Sequence, residues 1–244
     1  MQKMQKMQKL YAPSQLAELL KVSTTTLRRY EDLGLIPDVP RTESGRRGYA
    51  ELHRQAFQTI RALLKAGSIP LAYETMRLLK QGRGGQALWG VNRQQADIQA
   101  EKERVESLLV WIRSAESDPP ERADRKKGRT IGEAAELAGV RPSAIRHWEK
   151  EGLIASERNP ANGYRLFSNR QLRRILVISS LRQSVYSIDN MKKLLDELDG
   201  RQLSSVETSF ELALEKLNGQ LERQFQAIAE LMAYRKQLIK ASLE

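Results

Sequence analysis

Arg28 and Arg29 in one stretch of this 244-residue chain, and Arg146 and His147 in another, are the side chains best equipped for chemistry. That chemistry is recognition. A guanidinium presents a planar fork of donors that matches a phosphate or the edge of a guanine, and an imidazole can donate or accept beside it. Both pairs belong to one repeated pattern. Leu27-Arg28-Arg29-Tyr30-Glu31-Asp32-Leu33-Gly34-Leu35-Ile36 returns as Ile145-Arg146-His147-Trp148-Glu149-Lys150-Glu151-Gly152-Leu153-Ile154, roughly 118 residues later. The match runs upstream without a gap, where Ala17-Glu18-Leu19 and Val22 face Ala135-Glu136-Leu137 and Val140. Two long blocks in the same apolar, basic, aromatic and glycine order indicate an internal duplication.

Composition narrows the classes. Lys and Arg number 41 against 30 Asp and Glu, a formal charge of +11 that suits a polyanionic partner. Cysteine is absent, which excludes disulfides, thiolate metal sites and a cysteine nucleophile. His53 and His147 are the only histidines and have no carboxylates at ligand spacing, so no metal site is expected. With no nucleophile–base set and no phosphate-loop glycines, neither an enzyme nor a cofactor is expected. Apolar runs such as Ile175-Leu176-Val177-Ile178 are far too short to span a bilayer, and the N-terminus has no signal-peptide core. A cytoplasmic, nucleoid-associated protein is the expectation.

The elements that must position these residues follow from apolar spacing. Residues 1–9, Met-Gln-Lys three times, read as a basic tail. Residues 10–82 read as a first head. Ser14 caps a helix that buries Leu16, Leu19 and Leu20, and Ser23 or Thr24 caps a second with Leu27, Tyr30 and Leu33 inward. Gly34 ends that helix in the left-handed region. A tight turn between two short helices is a helix-turn-helix, whose second helix exposes Thr24, Thr25, Arg28 and Arg29. A β-hairpin wing reverses at Ser44-Gly45, with Arg46 and Arg47 at its tip and Tyr49 after it. Helices over 52–66 and 71–79 follow, and Gly82-Arg83-Gly84-Gly85 is a flexible exit.

Residues 83–117 hold a linker and a helical seam, where Val91, Ile98, Val105 and Ile112 recur every seventh residue. Residues 118–128 form a charged linker. A second head over 129–199 repeats the layout, with Ala134 and Leu137 inward and Pro142 opening the recognition helix. Its outward candidates are Arg141, Ser143, Arg146 and His147. Arg158, Tyr164 and Arg165 flank a wing turned at Asn162-Gly163. Residues 200–244 read as one long helix striped by Phe210, Leu214, Leu217, Leu221, Ile228, Leu231 and Leu238. The fold class is mainly α: two winged helix-turn-helix domains, each followed by an amphipathic coiled-coil helix.

These residues resemble the MerR family of bacterial transcription regulators. The resemblance rests on Ile145 to Ile154, Arg158, Asn162-Gly163-Tyr164-Arg165 and Phe167, then Val185-Tyr186-Ser187-Ile188 and Met191-Lys192-Lys193-Leu194-Leu195. The first copy matches through Leu27 to Ile36, Arg41, Gly48-Tyr49 and Met76-Arg77-Leu78-Leu79. The chain departs from the family in carrying two heads, in lacking the metal-sensing cysteines, and in having Ala50 where the family's wing arginine, here Arg165, is expected. The resemblance implies paired heads on two half-sites of double-stranded DNA. It also implies a duplex bent and undertwisted so that polymerase can use an over-long promoter spacer, and a final helix that dimerises.

The expected function is a sequence-specific transcription regulator that works with RNA polymerase and responds to a small-molecule effector. The alternative is an architectural DNA-organising or segregation protein with the same heads. Tyr49 and Tyr164 either pack beneath their wings or donate to phosphate. Glu31 and Glu149 are expected to form ion pairs within the heads or contacts at helix ends. Trp89 and Trp111 are candidates for an aromatic effector wall. A homodimer is favoured because Ile228, Leu231 and Leu238 would otherwise stay exposed; the alternative is an intramolecular pairing of the two heads.

Overall fold

The computed structural model describes residues 10–114, 128–182, 187–200 and 204–243. The Met-Gln-Lys tail, most of the charged linker and Val185-Tyr186 lie outside them. The fold is mainly helical, with α1 (Pro13–Leu20), α2 (Thr24–Asp32), α3 (Glu51–Ala66), α4 (Ile69–Lys80) and α5 (Gly84–Ser114) in the first half. The second half contains β1 (Arg129–Thr130), α6 (Ile131–Ala138), α7 (Pro142–Lys150), β2 (Glu157–Arg158), β3 (Arg165–Phe167), α8 (Asn169–Leu181), α9 (Ile188–Asp199) and α10 (Ser204–Ala241).

The chain forms two compact units that do not follow the linear division expected from sequence. Unit 1 joins Met1–Ile98 to Gly219–Glu244, and unit 2 is Gln99–Asn218. Each long helix is therefore shared: α5 and α10 each contribute one part to either unit. Gly84 and Gly85, expected in a flexible exit, instead open α5.

In unit 1 the head packs around Leu16, Leu27, Ile36, Phe57, Ile60 and Met76, all within 1% of complete burial. Ala227, Leu231 and Tyr234 of α10 belong to the same core cluster, with Ile228 and Leu238 packed against it. The C-terminal stripe is thus covered by the chain's own first head. This removes the premise on which a second copy was favoured. Hydrogen bonds reinforce the contact: Thr59 Oγ1 donates to the Glu230 carbonyl at 3.0 Å, and Gln55 Nε2 to the Glu230 carboxylate at 2.6 Å.

In unit 2 the buried residues include Ile145, Phe167, Ile175, Leu181 and Leu195 of the head, Val105 and Ile112 of α5, and Val206 and Phe210 of α10. Arg113 pairs with Glu207 at 2.7 Å, tying the end of α5 to the start of α10. The buried row of α10 reads Val206, Phe210, Ala213, Leu217, Gln224, Ala227, Leu231 and Tyr234. It is offset from the expected stripe, because alanine and glutamine fill places that a purely apolar pattern overlooks. Val91, Ile98, Val105 and Ile112 are all buried on α5 as their spacing predicts.

Local chemistry explains the short elements. Ser23 Oγ accepts the Thr26 N–H at 3.1 Å and caps α2. Thr130 and Glu133 form a reciprocal box at the start of α6, where the Glu133 carboxylate accepts the Thr130 N–H at 2.8 Å. At α1 the N-cap is Ala12, not Ser14, and Gln15 reaches back to its N–H at 2.9 Å. The turn between α1 and α2 needs a left-handed residue. Lys21 supplies it at φ 52°, and Gly139 does so in the second copy at φ 61°. Leu19 and Leu137, expected inward, are 55% and 48% exposed. The core instead takes Ala17 and Ala135, whose small side chains let α1 and α6 lie close to their neighbours.

Candidate nucleic-acid interface

The duplication extends to tertiary detail. In unit 2 the sheet has strand order β1-β3-β2, antiparallel, with Arg129 opposite Phe167 and Arg158 opposite Arg165. Unit 1 carries the same sheet as two isolated bridges, Tyr11 to Tyr49 and Arg41 to Arg47. Its hairpin turns at Gly45 (φ 74°), as the other does at Gly163 (φ 71°). Arg41 Nη1 donates to the Gly45 carbonyl at 3.2 Å and Arg158 Nη1 to the Gly163 carbonyl at 3.0 Å, so each wing tip is clasped by its own arginine.

This alignment corrects the wing assignment. Arg47, not Ala50, stands where Arg165 stands. Arg47 Nε bonds the Glu31 carboxylate at 2.8 Å, and Arg165 Nε bonds the Glu149 carboxylate at 2.9 Å. Each wing is latched to the recognition helix beneath it by the same ion pair. Bonding to Glu31 and its charge raise the Arg47 pKa. Burial pushes the Glu149 carboxyl up, but bonds from Ser156 and Arg165 and the Arg165 charge outweigh that and hold it below its ordinary value.

Tyr49 and Tyr164 are not counterparts. Tyr49 aligns with Phe167, and both are 0% exposed. The Tyr49 ring meets Phe57 edge-on at 5.8 Å. Burial raises its pKa, with the Glu31 charge adding to the effect. Tyr49 is therefore withdrawn from the interface to the core. Tyr164 is 68% exposed on the second wing, and Arg46 holds the matching place on the first.

The remaining candidates fall on the recognition helices and wings. Thr25, Arg28 and Arg29 are exposed on α2, with Thr24 half-buried at its start. Leu27 and Tyr30 anchor the opposite face. On α7, Ser143, Arg146 and His147 are exposed, as is the N-cap Arg141, while Ile145 and Trp148 face inward. Helical geometry thus divides the repeated decapeptide into a fixed apolar side and a free basic side. In unit 2, Arg146 of α7 and Arg158, Tyr164 and Arg165 of the wing line one cleft with Thr130 and Ile131. Three arginines and a tyrosine from separate elements therefore border one cleft, a residue composition compatible with a phosphate, although Arg158 and Arg165 also bond Gly163 and Glu149. Trp89 is 73% exposed on α5; the Trp111 side chain lies outside the described residues.

His53 is a structural residue that sequence alone did not identify. It is 4% exposed near the N-terminus of α3. Its Nδ1 accepts the Ala50 N–H at 2.9 Å, leaving Nε2 to donate to the Asp38 carbonyl at 3.2 Å. It caps α3 and pins the loop before the wing. Burial lowers its pKa.

A family model described as MerR HTH family regulatory protein matches residues 129–198, and one described as MerR family regulatory protein matches residues 13–49. The chain is 31% identical over 101 residues to the HTH-type transcriptional regulator HmrR of Sinorhizobium medicae, covering 41% of this chain and 67% of that protein. It is 35% identical over 65 residues to the HTH-type transcriptional regulator ZntR of Escherichia coli, covering 27% of this chain and 46% of that one. The chain thus spans about half the length of this second relative. A crystal structure of HiNmlR, a MerR family regulator lacking the sensor domain, bound to promoter DNA, shares 22% identity at a TM-score of 0.31, covering 44% of this chain and 94% of that one.

Proposed function

Because the chain belongs to the MerR family of helix-turn-helix regulatory proteins, we propose that it is a sequence-specific, double-stranded-DNA-binding transcription regulator. The observation that carries this reading is the basic recognition face built twice, Arg28 with Arg29 and Arg146 with His147, each beside a wing latched by a Glu–Arg pair. Phosphate contacts from the wings would set position, while the helix side chains read base edges in the major groove.

Two heads joined in one chain would take two half-sites of one operator, and bending or undertwisting between them would supply specificity by deformation. Covalent linkage raises the effective concentration of the second head once the first has bound. Since each half of the α10 stripe is covered within its own unit, the reading adopted is the self-contained, two-headed chain, not a homodimer. RNA polymerase is the proposed partner at target promoters, in the cytoplasm on the nucleoid.

Base-resolution footprinting of the full chain on genomic DNA, followed by titration of the protected duplex, tests the proposal. Discrete footprints on promoter spacers and binding that weakens steeply with salt are expected. Even coating of DNA, or equal affinity for random duplex at physiological salt, would replace the regulator with an architectural protein.

A further inference from the structure

Away from the recognition face, α1, α3 and the C-terminal part of α10 border an open cleft of about 470 Å³ within unit 1. No residue of α2 or of the wing lines it. That volume falls in the range of small-molecule sites, roughly 300–1,000 Å³. Its walls are of two kinds. Leu19, Leu20 and Ala62 make an apolar side, on which Leu19 is 55% exposed. Arg61, Lys65 and Arg223 make a cationic side, opposed by one carboxylate, Glu230, which already accepts from Gln55. Arg61 donates to the Leu20 carbonyl and is thereby fixed against the wall. Among the described residues, Lys65 and Arg223 have no ion-pair partner.

The duplication supplies an internal control. Where the first copy has Gln58, Arg61, Ala62 and Lys65, the second has Leu176, Ser179, Ser180 and Gln183. Ser179 turns its hydroxyl to the Leu176 carbonyl, 2.8 Å away. Leu176, Ser179 and Ser180, the three of these positions that lie on α8, carry no cation. Lys65 sits in the last turn of α3, where the helix dipole favours it, and Arg61 is held by the Leu20 carbonyl, but Arg223 has no such local role. Lys65 and Arg223 are exposed on this cleft, so each stays free to meet an anion from solvent, and like charges gathered there favour one that joins them.

We propose that this cleft is a binding site for a small organic anion: one carboxylate or sulfonate held by Lys65, Arg223 and the free edge of Arg61, on an apolar body lying against Leu19 and Ala62. Bound there, it bridges the first head to the helix that covers it. Its regulatory meaning rests on the proposed function, but its existence does not.

Anilinonaphthalene sulfonate, an aromatic sulfonate that fluoresces when shielded from water, is the probe, titrated into the full-length protein. Saturable binding at one site per chain is expected, weakened by about tenfold or more in Lys65→Glu/Arg223→Glu and lost in Ala62→Trp. Far-UV circular dichroism and the unfolding midpoint establish that both variants fold. Unchanged affinity in both variants would overturn the site. Equal binding of phenylnaphthylamine, which has the rings without the sulfonate, would overturn the anion; equal displacement of the probe by inorganic phosphate would overturn the organic body. Displacement by random duplex would return these cations to the nucleic-acid interface and overturn the proposal. Probe binding without any selective DNA binding would sink the proposed function and leave the site standing.

Discussion

At the scale of single residues, the two copies solve the same problems with different side chains. Arg146 is exposed on α7 with its neighbours Ile145 and Trp148 buried, so its removal leaves the helix in place. Arg146→Ala should cost about 1–3 kcal/mol of operator binding and change the preferred base. Arg165→Ala, which cuts the wing loose from Glu149, should weaken all duplexes alike. Binding titrations on a panel of single-base operator variants separate the two; wild-type behaviour in both would remove the second head from the interface. His53 makes a pH prediction. Its pKa is lowered in the folded protein, so the unfolded chain binds the extra proton. The stability it contributes is complete above about pH 6.5, the ordinary histidine value, and is lost as pH falls through that value toward the lowered one. Denaturant melts at pH 7.5 and 5.5 should show a larger loss for wild type than for His53→Gln, the residue found at the matching Gln171. Equal losses would mean that other groups carry the effect. The exposed basic faces of α2 and α7 are legible in the sequence because type and spacing suffice to place Arg28, Arg29, Arg146 and His147 opposite the buried residues. Tyr49 stays open in the sequence because a tyrosine after a wing has the same spacing whether its hydroxyl points outward or its ring fills the core, as it does here.

At the scale of elements, the helix-turn-helix was readable almost to its boundaries. Caps and left-handed glycines are local signals that need no tertiary knowledge, as Ser23, Gly34 and Gly163 show. Contacts between distant segments were not readable. Apolar periodicity says that one face of α10 is covered, but not by what, and Gln224 and Ala227 lie buried where the pattern has no letter for them. The turn between α1 and α2 provides a test. Lys21 adopts a conformation that costs an L-residue about 1–2 kcal/mol, and glycine gives back part of that gain through its freer unfolded chain. Lys21→Gly should therefore stabilise unit 1 by roughly 0.5 kcal/mol, read as a higher unfolding midpoint. A lower midpoint would show that the Lys21 side chain makes a contact worth more than the strain.

At the scale of the whole molecule, the burial of Leu231 and Tyr234 by the first head argues for a chain that completes itself. Light scattering at low micromolar concentration should give one chain mass, 27.8 kDa. The exposed row Phe225, Met232 and Ile239 on α10 marks where this fails if it fails. A mass of two chains that falls to one in Phe225→Glu/Met232→Glu would place a second copy on that row. No helix among the described residues is long and apolar enough to cross a membrane. Because unit 1 is built from Met1–Ile98 and Gly219–Glu244, with unit 2 inserted between them, synthesis and maturation run in opposite orders. On the ribosome, the first head emerges early but waits, with the surface that later receives Ala227, Leu231 and Tyr234 still wet, while the whole of unit 2 is made. At roughly 5–20 residues per second that is an interval of many seconds, open to chaperones and proteases alike. Nascent chains arrested with Asn218 just outside the exit tunnel should already protect Gln99–Asn218 from protease, yet lose Met1–Ile98 to it. Of the two units, the one whose chain emerges earlier is expected to be protected later.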